Sequence, residues 1–492
     1  MTRKTFDVVF LHPPFTIGKH SLLDKIRFWK RNVIAGEFAE VPMGFFSMAS
    51  LLEREGFDVR IFNLALEQAL NPSRRIESFL KSLESRIYAI DLHWFVHSLG
   101  SLEIAELCKK YHPNSFVILG GFTATYYDLE IMQSYRFIDA IARGESEYVL
   151  LNLAKMVCSG KEKNIKGISG LTYRLENSIK WNKLAPPPNL NKLRFSALEL
   201  MENWDKQLKC CARGYEEKRK PSFWLTIGRG CLKECIYCGG ARSCYQLLTG
   251  RANIGIREIN NIVEDIARLI EFGVKIIKFN HDPEMFGRRF SFSLLNSLKG
   301  LASDLSVYWE STNLPSRDFI KETNKTFINL NVAISPESMQ ESVRKLVGRS
   351  FTNEQMLKTI RFLDENEVIT DIYFLIGLPG DSASSISKIV DFTKEVAKRK
   401  HILVQPPIPY TIDPHCPMAI NSQKYGVKIF FKSFHHYRKA CLESKWDKWI
   451  GHETETLTRA EISRLTASVW RSVLEVPQEG AAAKISFDYE TD

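Results

Sequence analysis

Two α/β units followed by a mostly helical tail are predicted for this chain, on three observations. Apolar strands alternate with amphipathic helices over residues 1–157, the alternation resumes over 221–410, and helix-period patterning dominates 411–492. A polar segment at 158–220, with Pro186-Pro187-Pro188 and charge clusters, reads as the connection between the two units. At 492 residues the chain is too long for one ordinary core, so several domains are the physical expectation.

In the first unit, residues 6–11 read as an apolar strand ending at His12-Pro13-Pro14. Residues 45–55 repeat at helical spacing and stop at Gly56, and 58–63 form the next strand. Residues 87–90 lead into Asp91-Leu92-His93-Trp94, then a helix over 101–111. A strand at 116–119 ends in Gly120-Gly121, and one at 138–142 ends in Gly144-Glu145-Ser146-Glu147 before a helix through Met156. This order predicts a doubly wound, Rossmann-like parallel sheet, which binds ligands outside the carboxyl ends of its strands. Pro14, His93, Trp94, Gly120, Gly121, Gly144 and Glu145 all fall at those ends. Within the connecting segment, residues 170–174 predict a small hairpin packed on a neighbour.

In the second unit, strands are expected at 223–227, 275–280, 306–311, 327–335, 371–377 and 402–406. Helices fall between them at 256–272, 290–301, 316–323, 341–347 with 353–365, and 384–398. Six such β/α units predict a partial parallel barrel, with its site at the carboxyl ends of the strands.

Composition narrows the function classes. Hydrophobic residues make up 44% and charged residues 25%, as in a soluble globular protein. No stretch approaches the roughly 20 apolar residues of a membrane span. The N-terminal apolar run is short and reads as a strand rather than a signal peptide, so a cytoplasmic protein is expected. The formal charge is +10, but Lys and Arg are scattered, and patches such as Glu216-Glu217-Lys218-Arg219-Lys220 mix both signs. A basic surface is the reading, and no nucleic-acid partner is expected. Of the ten cysteines, Cys108, Cys158, Cys210, Cys211, Cys244, Cys416 and Cys441 are dispersed, which argues against a disulfide framework.

The remaining three are clustered. Directly after the first barrel strand runs Gly228-Arg229-Gly230-Cys231-Leu232-Lys233-Glu234-Cys235-Ile236-Tyr237-Cys238-Gly239-Gly240. Three thiolates at this spacing can each ligate one iron of a cubane cluster, leaving the fourth iron open. Flanking glycines let the backbone bend tightly. Structural zinc wants four closed ligands, commonly in two Cys/His pairs; no second pair follows here, although Cys244 or Cys210 would be the available fourth donor.

Cys-x-x-x-Cys-x-x-Cys with Tyr237 before the last Cys resembles the signature loop of the radical S-adenosylmethionine (SAM) superfamily. The resemblance implies a [4Fe-4S] cluster on Cys231, Cys235 and Cys238, with SAM chelated at the open iron. One electron then cleaves the sulfonium bond to give methionine and a 5′-deoxyadenosyl radical. It also implies SAM contacts from Tyr237, Gly239, Gly240, Asp282, Glu310, Ser335, Glu337 and Arg344. Asn280-His281-Asp282-Pro283-Glu284 stands where the family has Gly-Gly-Glu. Residues 333–338 (AISPES) resemble the element near the ribose, and 377–380 (GLPG) the "GLPGET" turn, with Asp381-Ser382 replacing Glu-Thr.

Joined to such a barrel, the first unit resembles the cobalamin-binding domain of class B radical SAM methyltransferases, and the whole chain resembles an uncharacterised archaeal-type subgroup of them. Cobalamin contacts are implied for Pro14, His93, Trp94, Gly120, Gly121, Thr123, Thr125, Gly144 and Glu145. The Asp-x-His-x-x-Gly loop that ligates cobalt in the mutases is missing, because Val96 stands where its Gly would be. The expected site is therefore histidine-free at cobalt. The implied function is methylation of an unactivated carbon of a small-molecule, lipid or peptide substrate, with an electron donor of ferredoxin or flavodoxin type. Two other readings stand beside it: a radical C–C bond-forming or cyclising enzyme acting on a lipid or isoprenoid-type substrate, and a non-catalytic cofactor-binding sensor. No residue is assigned as the hydrogen donor or quencher.

Overall fold

The computed structural model describes residues 5–14, 40–70, 75–210, 220–443 and 445–480. Cys211, the mixed-charge residues Glu216 to Arg219 and the tail from 481 lie outside them. The chain forms two units, one of residues 1–211 with 245–252 and 431–444, the other of residues 212–244, 253–430 and 445–492.

The first unit is built on strands β1 (Thr5–His12), β2 (Val59–Asn63), β3 (Glu84–Asp91), β4 (Phe116–Gly120), β5 (Ala140–Ala142), β6 (Leu171–Leu175) and β7 (Ser178–Trp181). They form one sheet in the order β2-β1-β3-β4-β5-β6-β7. The first five strands pair in parallel, as the alternation predicts. The hairpin expected near 170–174 is β6–β7, and it extends the sheet antiparallel from β5. Val8, Val9, Phe10 and Leu11 are all fully buried. An unbroken apolar run is what a strand covered on both faces requires. The helix after β3 begins at Ser98, earlier than its apolar periodicity predicts. Its first turns bury Ser98, Gly100 and Ser101, small residues that carry no hydrophobic signal. Gly100 is required there, since a β carbon would lie 1.9 Å from the Pro14 carbonyl oxygen.

The strand order reverses between β1 and β3. In open α/β sheets the crevice at such a switch point is where ligands bind. His12 and Asp91 are the last residues of those two strands.

The second unit contains β8 (Ser222–Leu225), the short antiparallel pair β9 (Gly228–Arg229) and β10 (Gly255–Ile256), then β11 (Ile276–Phe279), β12 (Ser306–Ser311), β13 (Asn329–Glu337), β14 (Ile369–Ile376), β15 (Ile402–Val404) and β16 (Ile408–Pro409). The main sheet runs β8-β11-β12-β13-β14-β15 with every pair parallel, and β16 pairs with the end of β14. Sequential order with β8 and β15 as its two ends is the topology of an unclosed (β/α)6 barrel. Helix starts are written in the sequence: Thr352 and Gln355 form a capping box at Asn353–Glu365, and Thr458 and Glu461 form another at Arg459–Glu475. The latter helix buries Ile462, Val469 and Val473 in one core with Ile376, Ile386 and Ile389. Within the same tail, Phe434 belongs to the core of the first unit, beside Tyr127 and Tyr135. Among the described residues, no helix is long and apolar enough to cross a membrane.

Candidate functional site

The cysteine loop of the second unit leaves the β9 strand through Gly230, whose φ of 90° only glycine adopts readily. Turns Cys238 N–H to Cys235 O (3.1 Å) and Ala241 N–H to Cys238 O (3.1 Å) wind the loop into a coil. Backbone amides face two of the sulfurs: Lys233 N–H donates to Cys231 Sγ and Gly240 N–H to Cys238 Sγ, each at 3.3 Å. Such donors favour thiolate over thiol. Burial acts oppositely, pushing the Cys235 and Cys238 thiols up. A thiolate set of this kind is completed by a cation, because the metal deprotonates its ligands on binding.

The three sulfurs are not drawn to single-ion spacing. Among the described residues, the one group of three donors found within 4.8 Å of one another is His12, Asp91 and His97, in the other unit. A tetrahedral zinc would hold its thiolates roughly 3.8 Å apart, from Zn–S bonds of about 2.3 Å. Three cysteines with backbone donors to two of their sulfurs fit the donor set of an iron–sulfur cluster, and Cys231, Cys235 and Cys238 would hold it.

Two neighbouring turns fix the loop. Asn280 accepts from Ile227 N–H (2.9 Å) and donates to the Gly228 carbonyl (2.9 Å), while His281 Nε2 lies 2.7 Å from the Gly230 carbonyl oxygen. On another side, Gly239 N–H donates to Asp413 Oδ2 at 3.1 Å. A β carbon on Gly239 would fall 2.5 Å from His415 Nε2 and 2.8 Å from Asp413 Oδ2, so any larger residue would displace those side chains. Tyr410 donates its hydroxyl to the Tyr237 carbonyl.

Glu337 is the centre of the polar group beside the loop. It is buried, its φ is 67°, and it accepts from Tyr237 Oη and from Arg349 Nη2, the latter at 3.4 Å. Burial raises its pKa more than Arg349 and Tyr237 lower it. Arg349 was not singled out from the sequence; its position beside Glu337 depends on a turn with no motif spacing. Arg344, expected to contact SAM, bonds the protein itself. Its guanidinium is fully buried and spent on Ser338 O, Phe351 O and Asn353 Oδ1, where it pins the turn after β13. Asp282 is likewise engaged by the protein: Oδ2 accepts Thr312 N–H and Oγ1 at 3.0 Å each, Oδ1 accepts Glu284 N–H, and burial lifts its pKa to about 6. Glu310 is exposed, and its charge is felt by Glu337. Ser335 is half-buried on β13. In the GLPG turn, Asp381 accepts from Ser338 Oγ (2.9 Å) and Leu378 N–H (3.2 Å), joining the two strand-end elements recognised in the sequence.

In the first unit, aromatic rings gather at the carboxyl ends of β3 and β4. His93 stands edge-on to Trp94 (4.7 Å) and tilted against Phe122 (4.5 Å), and Phe122 meets Tyr245 (5.4 Å). His93, Phe122 and Tyr245 are half-buried and Trp94 is 40% exposed. Burial holds the His93 pKa down against the charge of Asp91. An uncharged, partly open aromatic surface at a sheet's ligand edge fits a broad flat apolar group such as a corrin. Gly121 has φ 111°, and a β carbon there would lie 2.5 Å from His93 Cα. Gly120 has no such constraint, with 3.7 Å to the nearest atom.

Three residues of the expected contacts also bond within the protein. Thr123 Oγ1 donates to the His93 carbonyl at 2.9 Å and Thr125 Oγ1 accepts from Gly144 N–H at 3.2 Å, so these hydroxyls shape the bed's own backbone. Glu145 is held by Arg251, with Nη2 to Oε2 at 2.8 Å. Arg251 was invisible from the sequence because it lies 106 residues further on. Pro14 is buried under Gly100, and Gly144, with φ 78°, packs its Cα side on Leu248 and Thr249.

A model of the B12 binding domain matches residues 31–154, and a model of the Radical SAM superfamily matches residues 225–393. The chain joins a B12-binding domain to a radical SAM domain. The cofactors of such a chain are cobalamin, a [4Fe-4S] cluster and SAM. The chain is 23% identical over 358 residues to an uncharacterised methyltransferase of Pyrococcus horikoshii, covering 72% of this chain and 73% of that one. It is 22% identical over 301 residues to an anaerobic magnesium-protoporphyrin IX monomethyl ester cyclase of Rubrivivax gelatinosus, 59% of this chain but 51% of the relative. In fold it resembles the radical SAM methyltransferase TsrM of Kitasatospora setae, solved with cobalamin and a [4Fe-4S] cluster. That likeness has a TM-score of 0.64 at 13% identity and covers 95% of this chain and 89% of the other.

Proposed function

We propose that this radical SAM enzyme is a cobalamin-dependent C-methyltransferase acting on an unactivated carbon of a small-molecule, lipid or peptide substrate. The observation that carries the reading is the pairing, in one chain, of the three-cysteine loop with an uncharged aromatic bed at the B12 domain's ligand edge. When bound, the cofactors supply the radical and the methyl group. The chain's own residues do the rest. Lys233 and Gly240 amides hold the thiolates of Cys231 and Cys238, and Asn280, His281 and Asp413 fix the loop's path. Glu337, kept in place by Tyr237 and Arg349, offers a buried acceptor for the SAM ribose or amine. Gly121 lets the His93 backbone approach closely, and His93 would line the corrin's bed without serving as its cobalt ligand.

A second reading, radical C–C bond formation without net methylation, is favoured by the likeness to the ring-forming cyclase. Product counting separates the two. A methyltransferase releases S-adenosylhomocysteine and 5′-deoxyadenosine together with methylated product. A cyclising enzyme releases 5′-deoxyadenosine without S-adenosylhomocysteine. Reconstituted protein that, with a reductant, forms neither defeats both.

A further inference from the structure

The switch-point crevice of the first unit carries a donor group that the proposed reaction does not use. His12 ends β1, Asp91 ends β3, and His97 lies in the 3-10 turn Phe95–His97 that follows. All three are buried, at 0%, 3% and 2% exposure. Nδ1 of His12 is 3.2 Å from Asp91 Oδ2, and Nδ1 of His97 is 3.7 Å from the same oxygen. The two imidazoles are nearly perpendicular, with centroids 5.0 Å apart and an interplanar angle of 86°.

The first contact alone is an ordinary hydrogen bond. The second is too long for one, yet it brings another Nδ1 to the same carboxylate oxygen. All three donor atoms lie within 4.8 Å of one another. Bonds of about 2.0–2.1 Å to a tetrahedral ion place neighbouring donors about 3.4 Å apart, and the two measured separations bracket that value. Imidazole nitrogen with carboxylate oxygen is a donor set for a divalent first-row ion. Zinc suits it because a d10 ion tolerates whatever angles the strand ends impose. Burial of all three residues disfavours the several open positions that an octahedral ferrous site keeps.

We infer that His12, Asp91 and His97 form a zinc site at the β1/β3 switch point, distinct from the iron–sulfur loop and from cobalt. Three protein donors leave one position for a small ligand such as water. The ion ties together two strand ends and the turn after them. Asp91 extends its effect: Oδ1 accepts the His93 amide at 2.9 Å, and Ser101 Oγ holds the Asp91 carbonyl at 2.6 Å. The oxygen facing the ion and the oxygen carrying the His93 amide belong to one carboxylate, so the ion orients the aromatic bed without touching it.

The test uses the full chain with its cluster reconstituted, so that the loop cysteines are occupied by iron. After dialysis against micromolar zinc and removal of loose metal, we expect about one zinc per chain. Its X-ray absorption should show only nitrogen or oxygen neighbours near 2.0–2.1 Å. His97→Ala and Asp91→Asn, checked for folding by circular dichroism, should each lower zinc affinity by about tenfold or more, as expected when one of three protein ligands is lost. The inference is overturned if wild-type protein retains less than about a tenth of one zinc, or if the zinc shows a sulfur neighbour near 2.3 Å. Folded variants that keep wild-type zinc affinity overturn it as well.

Discussion

Tyr237 donates its phenol to Glu337 Oε1, and Arg349 Nη2 donates to the same oxygen at 3.4 Å and to the Tyr237 hydroxyl at 3.3 Å. Glu337 is buried and Tyr237 and Arg349 are half-buried next to the cysteine loop, so each depends on the others for its charge balance. Replacing Glu337 by Ala leaves the half-buried Arg349 cation without this counter-ion, which is destabilising. We expect Glu337→Ala to keep its iron yet bind SAM about tenfold or more weakly, with Glu337→Gln intermediate. Equilibrium dialysis on the reconstituted protein decides it, and an unchanged affinity in the Ala variant removes Glu337 from the SAM site.

Cys235 is the most enclosed of the three loop thiols, at 8% exposure. Wild-type protein reconstituted without oxygen should carry about four irons per chain. Cys235→Ala should carry less than one and cleave no SAM, as read by iron assay and low-temperature electron paramagnetic resonance. Full iron content in that variant would mean that the ligand set is wrong.

Gly120 and Gly121 are neighbours with opposite tolerances. A β carbon at Gly121 collides with the His93 backbone at 2.5 Å, whereas at Gly120 it meets nothing closer than 3.7 Å. Gly121→Ala should therefore lose bound cobalamin after gel filtration, and Gly120→Ala should keep it. If, as proposed, cobalt takes no protein nitrogen, His93→Ala should leave the Co(II) resonance spectrum without any change in nitrogen splitting. Equal retention by both glycine variants would show that the His93 turn does not shape the bed.

Asp381 supplies a pH test. Burial pushes its carboxyl from 3.8 up to about 6, against the bonds from Ser338, Leu378 and Ser385. Its folded value lies above its unfolded one, so the folded protein holds the proton longer. The stability linked to this group is complete below about pH 4 and falls as pH rises to about 6, by up to about 3 kcal/mol. Asp381→Asn removes that term. The variant should gain thermal midpoint relative to wild type between pH 4 and 7, and a constant difference across that window would contradict the shift.

The repeating elements were legible in the sequence because each depends on local pattern. Apolar runs such as Val8 to Leu11 and capping residues such as Thr352 announce strands and helices without reference to distant chain. The cysteine loop was legible for the same reason, since its ligands share one turn-rich stretch. Arg349, Asp413, His415 and Arg251 were not. Each acts through a partner brought near by folding, at separations of up to 174 residues, and no spacing records that. Thr123, Thr125 and Arg344 show the converse: polar groups near the strand ends that bond backbone acceptors or donors only the folded chain reveals.

The first unit draws residues from three separate stretches, the last of them 431–444, where Phe434 enters the core and its amide is bound by Glu130. A ribosome releases the chain from the N-terminus onward, so the B12-binding sheet is synthesised long before the segment that seals it. Until that segment emerges, Tyr127 and Tyr135 lack their late partner. Genetic dissection meets the same obstacle. A gene cut after the connecting segment would encode a sheet missing two of its own pieces, and supplying those pieces in trans, rather than shortening the boundary, is the route to an isolated domain.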